Sequence, residues 1–163
     1  MSGGLLAVID MQRVFAEPDS PWAAPRYAEA AAGVRRLLPA FGDRVTFTRF
    51  LAPAKPEGAW RAYYERWPFA LQPPDAPLWE LTDDFATHAH HTLDATTFGK
   101  WGPDLARRLG PAGRLVLTGV STDCCFLSTA LALGFLGTLA LTRTRVRTQE
   151  AQAPSPRDAG AAV

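Results

Sequence analysis

Two places in the chain carry residues that can do covalent chemistry together. Asp10 closes the apolar run Leu5-Leu6-Ala7-Val8-Ile9, and Cys124 and Cys125 stand side by side in TGVSTDCCFLSTALALGF, between a strand-like run and a helix-like one. A thiol attacks as its thiolate, and a free cysteine is only about 3% ionised at neutral pH. Early placement in a helix improves on this, because the dipole and the unpartnered N–H groups lower the thiol's pKa. With Thr122 as the expected N-cap, Cys124 falls at the second helical position and Cys125 at the third. The same N–H groups can receive the oxyanion of a tetrahedral intermediate. A carboxylate at Asp10 can take the thiol proton and return it to a leaving amine. Each feature also has an ordinary explanation. A carboxylate after a first strand commonly serves a turn or cap, and a cysteine in an apolar helix packs as a small hydrophobe.

Bringing Asp10 to a cysteine more than a hundred positions away requires a sheet. Leu5–Ile9 is a continuous apolar run, the pattern of a strand buried on both faces. The spacing of Ala30, Val34, Leu37, Leu38 and Phe41 predicts a helix over 26–41, closed by Gly42-Asp43. Val45–Thr48, His91–Asp94, Leu115–Thr118 and Thr138–Leu141 read as further strands, and Pro103–Leu109 and Asp123–Leu133 as helices. Alternation of this kind predicts an α/β fold, an open and mostly parallel sheet flanked by helices, with ligands bound beyond the carboxyl ends of its strands. Both Asp10 and Cys125 then open onto the same edge. Pro53–Pro77, rich in proline and aromatics, reads as a long loop or short-helix region; Trp60, Tyr63, Tyr64 and Trp67 within it are expected to form a lid, a pocket wall or a subunit contact.

At 163 residues with a formal charge of +1 and 47% hydrophobic content, the chain has the size and composition of one globular domain. No basic stripe suggests nucleic acid, and no apolar run is long enough to span a bilayer. The start, MSGGLLAVIDMQ, lacks the basic region of a secretory signal. The two adjacent cysteines read as reduced thiols, so a cytoplasmic setting is expected. His88, His90 and His91 lack further ligands at a fitting spacing and are expected to be structural or surface residues, leaving no metal site. No Gly-rich phosphate loop is present, and no cofactor is expected.

The two segments also resemble a known family. LLAVIDMQRVF resembles the opening of the isochorismatase-like cysteine hydrolases, the group of nicotinamidases and N-carbamoylsarcosine amidases, in which a strand ends in Asp followed by x-Gln-x-x-Phe. LVLTGVSTDCCFLSTALAL resembles their nucleophile segment, Gly-Val-x-Thr-Asp-x-Cys and a small-residue helix, and the likeness spans roughly Leu5 to Leu141. It implies a three-layer α/β hydrolase cleaving an amide-type C–N bond in a small molecule, with Cys125 as nucleophile and Asp10 as acid and base. It further implies a cis peptide between Val120 and Ser121 that aims backbone N–H groups at the substrate. Cys124 falls on the variable position, which favours packing for its side chain, while its backbone belongs to the oxyanion segment. The expected oxyanion and substrate-binding set is therefore Val120, Ser121, Cys124 and Gln12, with Trp60 and Tyr64 shaping the pocket. Related proteins often form dimers or tetramers, so a homo-oligomer is a further expectation.

The chain departs from the family pattern in two places. The family's third catalytic residue is a Lys one position before a segment like Thr-Thr-Tyr-Ser-Ala-Phe. LDATTFGKWGPDL aligns Phe98 and Trp101 with the two aromatics and puts Ala95 where the Lys belongs. Lys100, five residues on, is the candidate replacement. Otherwise the chain is an impaired member or truncated remnant that acts only in binding or oligomerisation. Residues 142–163 form the second departure, reading as an aberrant or disordered tail after a domain over 1–141. Back-translated from each third base, Thr142–Thr148 can encode Ala-Asp-Ala-Cys-Ala-Asp, close to the family's next segment. A frameshift near Thr138–Leu141, leaving the fold incomplete on its C-terminal side, is the resulting expectation, and the gene's nucleotide sequence tests it.

Overall fold

Every residue of the first strand, β1 (Leu5–Ile9), is buried. An unbroken apolar run requires this, since both faces of such a strand must be covered. The computed structural model describes residues 4–111, 113–135 and 140–142. Among them β1 pairs in parallel with β2 (Val45–Phe50) on one side and β4 (Leu115–Gly119) on the other. β3 (Thr92–Ala95) and β5 (Ala140–Thr142) lie outside these, giving the order β3-β2-β1-β4-β5 with every pairing parallel.

Parallel neighbours need crossovers, and helices supply them. The short α1 (Arg13–Ala16) and the long α2 (Tyr27–Phe41) follow β1; α3 (Ala59–Arg66) and α4 (Asp83–Ala86) follow β2; α5 (Pro103–Leu109) follows β3; α6 (Leu127–Phe135) follows β4. The alternation within β1 divides the core. Leu6 and Val8 pack with Ala30, Ala31 and Val34 of α2 on one face. Leu5, Ala7 and Ile9 pack with Leu105 of α5, Leu133 of α6 and Cys125 on the other. The chain runs outward from β1 to β3, then returns past β1 to lay down β4. This reversal of direction puts a topological switch point between the carboxyl ends of β1 and β4, the place where open α/β sheets form a binding crevice.

Three details differ from the sequence reading. First, β2 continues to Phe50, because Arg49 and Phe50 are in register with Asp94 and Ala95 of β3 and the Arg49 and Asp94 side chains bond at 2.7 and 2.8 Å. Second, the aromatic segment is folded down: besides α3 it holds 3-10 turns at Pro68–Ala70 and Pro77–Trp79, each begun by a proline whose missing N–H costs nothing there. Trp22 is the hub of this packing, its ring 5.1–6.3 Å from those of Phe15, Phe50, Tyr63, Trp67, Phe69 and Trp79. Third, the expected cap at Thr122 is replaced. Ser121 flanks a π turn over Thr122–Phe126, and the α-helix begins only at Leu127. The Phe126 N–H reaches back to the Ser121 carbonyl at 3.1 Å, one residue further than an α-helical bond, so Cys125 sits within a widened turn.

Positions 138 and 139 of the expected frameshift region, Thr138–Leu141, lie outside the described residues, as does the expected tail over 142–163 except for Thr142, which closes β5. No helix among the described residues is long and apolar enough to cross a membrane.

The strands that meet at the switch point approach very closely. Gly119 pairs with Ile9 at φ +118, and a Cβ there would lie 2.1 Å from the Ile9 carbonyl oxygen. Both the backbone conformation and the contact exclude a side chain. Gly119→Ala is therefore expected to cost about 3–5 kcal/mol. The measurement is a urea titration, in which the midpoint falls while the slope is retained.

Candidate active site

Asp10 is the first residue beyond β1 and is fully buried. Its φ of +49 puts it in the left-handed region, where Asp is among the few side chains tolerated, and turns the chain sharply at the end of the strand. Thr48, buried on the neighbouring strand, holds it twice. The Thr48 hydroxyl donates to Asp10 Oδ1 at 2.7 Å and accepts the Asp10 N–H at 3.3 Å. Asp10 Oδ2 faces Lys100 Nζ at 3.1 Å, in an ion pair whose side chains are 0% and 1% exposed. That oxygen accepts no hydrogen bond in good geometry among the described residues.

Lys100 does not come from a strand. It stands on the segment between β3 and α5, and its ammonium is fixed by three neighbours: the Asp10 carboxylate, the Thr97 carbonyl at 2.9 Å, and the face of Phe50, 4.9 Å from the ring centroid. Ala95, at the sheet position where a lysine was expected, pairs with Phe50 at the end of β2. The ammonium of Lys100 thus enters from five residues further along the chain and meets the Asp10 carboxylate.

Cys125 is buried within the π turn, while Cys124 is half-buried. A hydrogen bond between the two thiols moves them in opposite directions. It holds Cys124 below its ordinary value against partial burial. The same bond, burial and the Asp10 carboxylate push Cys125 up, and Lys100 pulls it down. Cys125 therefore rests as a protonated thiol, and the Asp10 carboxylate and the Lys100 ammonium act on both thiols. The preceding Val120–Ser121 peptide is cis. Of the backbone donors around it, the Val120 N–H bonds to the Ile9 carbonyl at 2.9 Å and the Cys124 N–H to the Ser121 carbonyl at 3.2 Å.

The other residues singled out from the sequence separate into two groups. Gln12 is fully buried, and its amide clamps the backbone: Nε2 donates to the carbonyls of Phe50 and Trp79 at 2.9 and 2.8 Å, and Oε1 accepts the Phe50 N–H at 2.7 Å. It ties the end of β1 to the end of β2 and to the second 3-10 turn. Tyr64 is buried in the core, its hydroxyl without a partner among the described residues and its pKa pushed up to about 12 by burial. Trp60 is half-buried, with its ring 5.0 Å from Phe98 and 5.4 Å from Tyr63. Tyr63, its neighbour on α3, is the tyrosine that senses the thiols: burial raises its phenol first, and the charges of Cys124, Tyr64 and Cys125 add to that. His88, His90 and His91 are exposed between α4 and β3, and no metal-binding group of three gathers among the described residues.

Sequence reasoning missed Thr48 and Thr129. Thr48 carried a usable signal, a hydroxyl at the carboxyl end of a strand adjacent to the one that ends in Asp10. Thr129 carried another, a polar residue one turn after Cys125 in an apolar helix. Tyr63 and Tyr64 could not be told apart, since only the packing of α3 decides which ring turns toward the thiols.

A model of the isochorismatase domain matches residues 5–141. No curated protein sequence matches the chain. Among solved structures, a cysteine hydrolase from Pseudomonas syringae pv. phaseolicola superposes with a TM-score of 0.74 at 19% identity, over 85% of this chain and 69% of that one. An N-carbamoylsarcosine amidase from Thermoplasma acidophilum gives 0.67 at 17% identity, over 86% and 80%. A nicotinamidase from Staphylococcus aureus gives 0.64 at 17% identity, over 87% and 82%. Parallel sheet, switch point and match together define an isochorismatase-like α/β hydrolase. The chain belongs to the isochorismatase domain family, whose members are hydrolases.

Removing one partner of a buried ion pair leaves the other charge uncompensated. Lys100→Met is therefore expected to destabilise the fold by about 3–5 kcal/mol. Asp10→Asn placed in that background is expected to recover part of the loss, because it removes the stranded charge. Chemical denaturation of the two single variants and the double variant measures the coupling; strictly additive losses would show that the pair does not interact.

Proposed function

We propose that this chain hydrolyses a small amide through a Cys125 thioester, with Asp10 as the acid and base and Lys100 as the cation that stabilises the charge between them. One observation carries the reading: a carboxylate and an ammonium, both withdrawn from water, are paired at 3.1 Å and both act electrostatically on a buried cysteine at the switch point of the sheet. The amide class is supported by the structural neighbours, two of which are named for amides, nicotinamide and N-carbamoylsarcosine.

The chemistry follows from the charges. Cys125 holds its proton at rest, so attack and proton loss occur together. Oδ2 of Asp10, ion-paired with Lys100 and accepting no well-aligned hydrogen bond among the described residues, takes the thiol proton as the sulfur bonds to the carbonyl carbon, and the π electrons move onto oxygen. Backbone N–H groups of the turn receive that oxyanion. Those of Val120 and Cys124 are bonded elsewhere, which leaves the task to the remaining residues of 120–125. Collapse of the intermediate breaks the C–N bond, and Asp10 returns its proton to the departing amine. Water, deprotonated by the same carboxylate, then attacks the thioester; the C–S bond breaks, the acid is released, and Asp10 returns the proton to the Cys125 sulfur. Throughout, Thr48 keeps Oδ1 occupied and Oδ2 directed into the site, and Lys100 offsets the negative charge shared by carboxylate and sulfur. Trp60, Tyr63 and Phe98, half-buried and packed on one another, form the apolar side of the substrate's surroundings.

The competing reading, a chain retaining only binding or oligomerisation, rests on Ala95. The pairing of Lys100 with Asp10 weighs against it, since the charge missing at position 95 is supplied from position 100.

A panel of nicotinamide, N-carbamoylsarcosine and small lactams, read by amine or ammonia release and by intact mass, tests the proposal. Turnover with an acyl adduct on Cys125 is the expected result. Cys125→Ala is expected to abolish both signals, and Asp10→Asn to lower kcat by about 10²–10⁴-fold. Turnover that survives Cys125→Ala, or an adduct mapping to Cys124, would falsify the assignment.

A further inference from the structure

A lysine at the end of a strand is held by the sheet itself; Lys100 has no such support, because its segment lies between β3 and α5 outside the ladder. Among the described residues, a side chain of α6 holds its backbone N–H. The Lys100 N–H donates to Thr129 Oγ1 at 2.9 Å, and the Thr129 hydroxyl donates to the Cys125 carbonyl at 2.7 Å. Thr129 lies on α6 and is completely buried. A hydroxyl has one proton to give and lone pairs to receive, so one oxygen can make both bonds at once. Gly99, just before Lys100, lies against Ser128, just before Thr129: a Cβ at Gly99 would meet the Ser128 carbonyl oxygen at 3.7 Å. The loop carrying the ammonium is thus seated on the helix that follows the thiol.

Thr129 is otherwise out of place. Its neighbours in Leu127–Phe135 are mostly leucine and alanine, and threonine is an indifferent helix former whose back-bond to the preceding turn slightly weakens a helix. Valine has nearly the same shape and would pack equally well, so what the position requires is the hydroxyl. We propose that Thr129 is a positioning residue, joining the backbone of Lys100 to that of Cys125 and so setting the distance between ammonium and thiol. This rests on the reading of Cys125 as nucleophile and Lys100 as its cation.

The test uses the full chain carrying Cys124→Ser, which leaves Cys125 as its one thiol, since the sequence has two cysteines. The readout is the rate of alkylation by iodoacetamide at pH 8, followed by intact mass. Because a tenfold change in thiolate corresponds to one pKa unit, Lys100→Ala is expected to slow the reaction about tenfold. Thr129→Val is expected to slow it about threefold or more, and Thr129→Ser to stay within about twofold of the parent. The direction separates the proposal from plain damage: loosening of the helix exposes a buried thiol and speeds its alkylation. A Thr129→Val rate equal to or above the parent's overturns the proposal while leaving the role of Lys100 intact. An unchanged rate in Lys100→Ala overturns the underlying reading and the proposal with it; where the buried parent thiol reacts too slowly to read, the exchange of the Lys100 amide decides instead. Should Thr129→Val not fold, hydrogen exchange of the parent decides: a Lys100 amide exchanging as slowly as those of α6 supports the clamp, and one exchanging as an open loop refutes it.

Discussion

An ammonium and a carboxylate buried together, Lys100 and Asp10, impose the constraint around which the site is built. Each loses its water on folding, a penalty of several kcal/mol per ion that mutual attraction offsets only with good geometry and further hydrogen bonds. The structure supplies both. Thr48 satisfies one carboxylate oxygen, the Thr97 carbonyl accepts from the ammonium, and the ring of Phe50 presents its negative face to the same cation. Gln12, in turn, pins the backbone of Phe50. The polar residues at this end of the sheet therefore form one connected arrangement.

That arrangement stands at the point where the sheet's topology opens a crevice. β1 delivers Asp10 and β4 delivers the turn that holds Cys125; their ends can meet because Gly119 lets the two backbones approach within a distance no side chain allows. On the other side the aromatic segment closes over the same end of the sheet, packed around Trp22, with Tyr63 near enough to the thiols to respond to their charge. Core and site are thus not separate layers: the packing that buries the aromatics also removes water from the ion pair.

Much of this is legible in the amino-acid sequence. The strand β1 and the helix over Pro103–Leu109 follow from apolar runs and proline–glycine punctuation, and the structure gives both with the expected bounds. Asp10 and Cys125 are legible because a strand end and the turn after a later strand open onto one edge of any parallel sheet. Other features are not. The pattern of an ordinary helix points to a cap at Thr122, whereas the bond from Phe126 to Ser121 widens the turn and moves the start of the helix. Its place in a motif assigns Gln12 to the site, yet what its amide holds is backbone. Such roles depend on which partner lies across the sheet, and a linear pattern does not carry that.

The layers of the fold are dictated by the order of residues along the chain, because hydrophobic alternation decides which faces must be covered. The candidate reacting types are legible there too, because few side chains can serve as nucleophile or base. Tertiary packing alone decides that Lys100, rather than residue 95, brings a cation to Asp10. A lysine's long flexible stem lets its charge arrive from several chain positions, and the one that counts is the one whose ammonium meets a buried carboxylate. The linear motif has an alanine where a lysine belongs; the fold brings another lysine, held by Thr97 and Thr129, to the carboxylate.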